Sequence, residues 1–127
     1  MPTTYRDDGK PVVQFDPRLE ISPFALFRRL REERALLLVD VRAQPGGRTL
    51  EGAMTLPDDS WRPPADIDVV LFDDNGAEAV AHTERLQQAG CERTRALFGG
   101  LDLYEFSLDP EVVGQGTYLV QPTKDKT

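Results

Sequence analysis

Apolar and polar positions along the chain fall into short blocks rather than one long alternation. Ala35 to Val39 is an uninterrupted apolar run that continues as Asp40-Val41-Arg42, and Val69 to Phe72 is a second. Runs of this kind read as strands buried on both faces, as in the middle of a parallel sheet. Gly52 to Pro57 is a shorter strand closed by proline, and Thr94 to Phe98 is the last core strand. Ser22-Pro23 opens a helix, with serine as N-cap and proline at the first helical position. Phe24, Phe27 and Leu30 follow at helical spacing, and Arg28, Arg29, Arg31 and Glu32 read as a solvated face. Ala77 to Ala89 is a polar helical run that Gly90 is placed to stop in the left-handed conformation. The pattern predicts strands near 36–41, 53–56, 68–72 and 94–98, and helices near 23–33 and 77–89. A short helix, Leu101 to Phe106, follows Gly99-Gly100.

Strands alternating with helices imply an α/β fold, a parallel sheet of about five strands flanked by helices on both faces. Length is consistent with one domain: 127 residues with a core at about 20–106, an N-terminal arm at 1–19 and a C-terminal tail at 107–127. In the arm, Val12, Val13 and Phe15 suggest one short edge strand. In the tail, Thr117 to Val120 is strand-like. Gln44 to Thr49 is a loop, and Asp58 to Asp66, with two prolines and Trp61, is an irregular connection.

Charge and cysteine content narrow the function. Fifteen basic against 22 acidic residues leave a net charge of −7, which argues against a nucleic-acid or anionic-membrane binder. No apolar run is long enough to span a bilayer, and the N-terminus has no apolar signal core, so a cytoplasmic location is expected. A single cysteine, Cys91, excludes an internal disulfide and a cysteine-rich metal site.

The chain is organised around the junction after Val69 to Phe72, where the apolar run ends in Asp73-Asp74-Asn75-Gly76-Ala77-Glu78. In an open α/β sheet, the carboxyl end of a strand is where ligands usually bind. The first amides of the following helix have no intrahelical partner, which makes the junction a natural anion cradle. Asn75 and Glu78 have the spacing of a capping box, with Asn75 as the cap and Glu78 reaching back to its amide.

Several residues then fall into one register. Asp40-Val41-Arg42 ends a buried strand. Leu50, Gly52, Ala53 and Pro57 have the spacing of an I-x-G-A-x-x-x-P element. Leu86 and Gly90 follow, and Leu97-Phe98-Gly99-Gly100-Leu101 with Tyr104 completes the set. Over about residues 20 to 106 the chain resembles a single-domain rhodanese, a thiosulfate sulfurtransferase. The resemblance implies a catalytic loop of the form C-x-x-G-x-R, whose cysteine carries a persulfide and whose amides and arginine stabilise negative charge. Here Gly76 is kept, Asp73 stands at the nucleophile position and Glu78 at the arginine position. Thr49 replaces a common histidine, and Tyr104 a tryptophan. In the resemblance, Asp40 and Arg42 tie strand ends to neighbouring loops. Asp73 to Gly76 also resembles the D-x-D-G motif of haloacid dehalogenase phosphatases, but only 51 residues follow Gly76. A response-regulator receiver would need a late lysine, and residues 91–106 contain none.

The expectation is therefore a catalytically inactive rhodanese-like domain with a degenerate active-site loop (Asp73, Asp74, Asn75, Gly76, Ala77, Glu78), acting as a binding or regulatory module. Its partner would be an unidentified protein or small ligand, and no cofactor or metal is implied. The alternative is a sulfur-handling or metal-dependent hydrolytic enzyme that uses Cys91 or the Asp73/Asp74 loop. For that, Asp40, Asp58 or Asp59, and Asp73 or Asp74 would have to gather at one sheet edge. Cys91 reads as an inert, half-buried thiol, and His82 as a packed histidine on the stripe of Ala79 and Leu86.

Overall fold

The computed structural model describes residues 4–5, 11–12, 15–32, 35–43, 47–64, 66–109, 111 and 116–120. Its centre is a five-stranded sheet made of β3 (Glu20–Ile21), β4 (Leu37–Asp40), β6 (Met54–Thr55), β7 (Val69–Phe72) and β8 (Thr94–Leu97). The order across the sheet is β3-β8-β7-β4-β6, and every neighbouring pair is parallel. The helices are α1 (Pro23–Arg31), α2 (Ala77–Gln88) and α3 (Gly100–Ser107).

The buried runs feed two apolar layers because side chains alternate across a strand. Leu38, Val70, Phe72 and Leu97 face Leu26 and Phe27 of α1 and Leu101 and Tyr104 of α3. Val39, Val69, Leu71 and Ala96 face Ala79 and Leu86 of α2, with Cys91 in the same layer. β7 is buried at all four positions, as its sequence predicts for the middle of a parallel sheet.

Local signals place the helices. Ser22 Oγ accepts the Ala25 amide at 3.2 Å, with Pro23 in the first turn. At the end of α2, Gly90 has φ +99°, its amide donates to the Gln87 carbonyl and the Cys91 amide donates to that of Leu86. This is the double bond of a Schellman stop.

The α1 stripe is shifted from the predicted one. Pro23, Leu26 and Phe27 are buried, whereas Phe24 is 55% exposed. Arg29 does not belong to a purely solvated face, since it meets Asp68 at 2.8 Å, as Arg93 does from the other side. Arg93, then Arg29, hold the Asp68 carboxyl below its usual range.

Two small antiparallel pairs lie outside the main sheet: β1 (Thr4–Tyr5) with β2 (Pro11–Val12), and β5 (Thr49–Leu50) with β9 (Leu119–Val120). Of the proposed arm strand, Val12 is in β2, Val13 lies outside the described residues and Phe15 is in no strand. The strand-like piece of the tail does form a strand, and its partner β5 lies in what reads from sequence as the end of a loop. Among the described residues no helix is long and apolar enough to cross a membrane.

β4 and β7 are neighbours whose outgoing connections run in opposite directions, toward β6 and toward β8. The carboxyl ends of these two strands therefore open the crevice typical of a ligand site in such a sheet. The floor of that crevice is a close approach of two loops. A Cβ on Gly100, which has φ +66°, would lie 2.5 Å from the Asp74 backbone, whereas one on Gly52, at φ +83°, would meet nothing within 4 Å. Both substitutions by alanine strain the backbone by about 1–2 kcal/mol. Only Gly100→Ala also forces the two loops apart, so it is expected to cost about 2 kcal/mol more than Gly52→Ala in urea unfolding. Equal costs would mean that the loops do not pack as described.

Candidate functional site

The six residues Asp73 to Glu78 lie together in the crevice, and Asp73 organises them. It is the first residue after β7 and is 3% exposed. Its Oδ1 accepts the Gly76 amide at 2.5 Å and its Oδ2 accepts the Glu78 amide at 2.9 Å. The carboxylate thus occupies the amides at the N-terminus of α2, where the helix dipole also favours negative charge.

This corrects the capping box read from sequence. Gly76, not Asn75, is the residue before the helix, with φ +96° and no side-chain cap of its own. Asn75 Oδ1 accepts the Ala77 amide at 3.0 Å, closing a local turn on the surface. Among the described residues, the Glu78 side chain makes no bond back to the Asn75 amide. The role assigned to Asn75 and Glu78 is performed by Asp73 from three and five residues upstream. An aspartate at that distance from a helix carries no standard capping spacing, so sequence offered no signal for it.

A second set of contacts holds the loop from outside. The Leu101 amide donates to the Asp73 carbonyl at 2.8 Å and the Asp102 amide to the Asp74 carbonyl at 2.9 Å. The first amides of α3 are thereby used by the loop. Across the crevice, Arg42 follows β4 and is buried. Its Nε and Nη2 meet the Asp40 carboxylate at 3.0 and 2.8 Å, and its Nη1 reaches Asp74 at 3.1 Å. The structural role assigned to Asp40 and Arg42 from sequence matches this geometry. Hydrogen bonding to Asp40 raises the guanidinium's pKa, keeping it charged.

Arg48 is the residue that sequence reasoning missed. It ion-pairs with Asp74 at 3.4 Å, with Glu105 at 2.9 Å and closely with Asp102. An arginine in a glycine-rich loop carried no signal of that role. The loop is therefore not bare of cations, but each cation near it is matched by carboxylates. The cleft above it, lined by Arg42, Asp73, Asp74, Asn75, Ala77 and Glu78, measures about 230 Å³.

The other candidates lie apart. Cys91 is 6% exposed in the apolar layer under α2, where its thiol faces the Pro63 carbonyl at 3.9 Å. His82 is half-buried on α2, with Nδ1 at 3.3 Å from an Arg85 nitrogen. Trp61 is half-buried and packs on the same layer as Cys91. Among the described residues no three His, Cys, Asp or Glu side chains gather as metal ligands. Asp40 and Asp74 share Arg42 instead.

No family model matches the sequence, and no curated protein matches it. Solved structures do match in shape. A rhodanese-like domain from Anabaena sp. superposes with TM-score 0.66 at 20% identity, covering 89% of this chain and 85% of that one. A rhodanese-related protein from Thermoplasma volcanium gives 0.60 at 18% identity, over 82% and 99% of the two chains. The fold is rhodanese-like. A thiosulfate sulfurtransferase from Pseudomonas aeruginosa matches with TM-score 0.63 at 15% identity, over 83% of this chain but only 20% of that one. The sequence resemblance and the rhodanese-like fold thus agree on the scaffold.

Since Asp73 bonds two buried or half-buried amides with a charged acceptor, Asp73→Ala is expected to cost about 2–4 kcal/mol. Asn75→Ala, which frees one exposed amide, is expected to cost under about 1 kcal/mol. Urea unfolding of both variants checks this. A larger loss for Asn75→Ala would restore the original capping assignment.

Proposed function

We propose that the chain is a catalytically inactive rhodanese-like domain that works as a binding or regulatory module for a protein partner or small ligand. The observation that carries this is the state of Asp73. By the sequence resemblance, this residue stands where the family has its cysteine nucleophile. In the active enzymes that cysteine takes the outer sulfur of thiosulfate as a persulfide, releases sulfite and passes the sulfur to cyanide. A carboxylate cannot hold sulfane sulfur. Here its two oxygens also take the Gly76 and Glu78 amides, which lie where the family stabilises the persulfide and incoming anion. Glu78 stands at the position of the family's arginine and adds a negative charge at the rim. Arg42 and Arg48 supply no substitute cation, since Asp40, Asp74, Asp102 and Glu105 surround them.

The opposing reading is an enzyme working through Cys91 or through Asp73 and Asp74. It has less support. Cys91 sits in an apolar layer without the cationic, accessible surroundings that make a thiol reactive. Asp73 is engaged by backbone amides and Asp74 by arginines.

Thiocyanate formation from thiosulfate and cyanide tests the proposal. The wild-type protein is expected to give none above a blank. Asp73→Cys alone should restore little, because Glu78 raises the thiol pKa and repels the anionic donor. Asp73→Cys with Glu78→Arg should exceed the single variant by about tenfold, equivalent to about one unit of thiol pKa. Robust wild-type turnover that survives Cys91→Ser would sink the proposal. Full activity in the single variant would mean that Glu78 does not act on the loop.

A further inference from the structure

A second concavity, mainly apolar in its lining, lies beside the cleft above Asp73. It is a groove of about 580 Å³ between the N-terminus of α2 and the outer side of α3, reaching the edge strand β3. Val80, Phe98, Leu103 and Phe106 line it. Its volume lies within the range of about 300–1,000 Å³ typical of ligand sites.

Three large apolar side chains among the described residues are exposed: Phe15, Phe24 and Phe106. Two of them converge on this groove. Phe106 lines it at 85% exposure, and Phe15 stacks edge-on against Phe98 at 5.4 Å. Phe98 and Phe106 both line the groove and Phe15 packs on Phe98, and none of the three is among the buried core residues.

Charge identifies the occupant. The groove is lined at its edges by two carboxylates, Glu20 and Asp102, and among the described residues by no lysine or arginine. Asp102 is already paired with Arg48. Glu20 pairs with no cation among the described residues; its Oε1 accepts the Asp16 amide at 2.8 Å. Partial burial raises the pKa of its carboxyl, and a cation brought beside it would lower that pKa again by pairing with the charged form. Two copies of this chain docked groove to groove are disfavoured, because two grooves with the same acidic edges and a net charge of −7 on each chain repel. We infer that the groove docks a segment of a protein partner that carries aromatic or aliphatic side chains flanked by Arg or Lys. This deepens the binding-module reading and rests on it. The apolar side chains fill the space between α2 and α3, as an amphipathic segment fills a groove, and a basic residue meets Glu20.

Selection from a displayed library of random twelve-residue peptides on the full chain tests the inference, followed by calorimetric titration of the enriched peptides. Enriched peptides should combine aromatic or aliphatic residues with Arg or Lys. Phe106→Ser should weaken them about tenfold, as loss of an aromatic anchor does. Glu20→Gln should weaken them about threefold and flatten the salt dependence. Phe24→Ser, which removes an exposed ring outside the groove, should leave affinity unchanged. No enrichment over a blank surface, enrichment without basic residues, or affinity indifferent to both Phe106→Ser and Glu20→Gln would overturn it. Wild-type thiocyanate formation would instead overturn the inactive reading, so the two failures are told apart.

Discussion

The crevice depends on one buried carboxylate. Asp73 leaves the most buried strand of the sheet and turns its side chain onto the amides that open α2. A buried charge of this kind persists only when it is hydrogen-bonded, and the helix N-terminus supplies both donors and dipole. The neighbouring contacts follow from it. With the side chain committed to α2, the backbone carbonyls of Asp73 and Asp74 are left facing α3, where the Leu101 and Asp102 amides take them. That approach brings the loop backbone against Gly100, where a side chain would not fit. Asp74 is then held outward and meets Arg42 and Arg48 from the β4 side.

The layers of the fold were readable from apolar runs. β4 and β7 lie where uninterrupted hydrophobic residues predict them, because strands covered on both faces need no polar alternation. Gly90 predicted the stop of α2, since a left-handed residue there is what a Schellman motif requires. Two-residue strands were less readable. Glu20–Ile21 and Thr49–Leu50 are too short for periodicity, and only their partners, β8 and β9, define them. Phe24 was misplaced because helical spacing alone does not say which of two adjacent stripes packs inward.

The site was legible at the level of residues but not of bonds. The acidic run Asp73 to Glu78 stood out, and Asp40 with Arg42 was placed correctly as a strut. The exchange of capping between Asn75 and Asp73 was invisible, because it depends on how β7 enters the turn rather than on spacing along α2. Arg48 was invisible for a similar reason: its partners Asp102 and Glu105 are over fifty residues away and are brought near by α3. In this rhodanese-like scaffold the amides that open α2 are satisfied internally by Asp73, and an apolar groove lies beside the same loop.

The Asp73 carboxylate fills the anion cradle at the start of α2. Nuclear magnetic resonance of the backbone amides of Gly76 and Glu78 during titration with thiosulfate tests it most directly. In the wild-type protein these resonances should not move. In Asp73→Ala combined with Glu78→Gln, where the cradle is vacated and the rim charge removed, they should shift in a saturable way as the anion enters. Equal saturable shifts in the wild type would contradict the account, because they would place an exogenous anion on amides that Asp73 is said to hold.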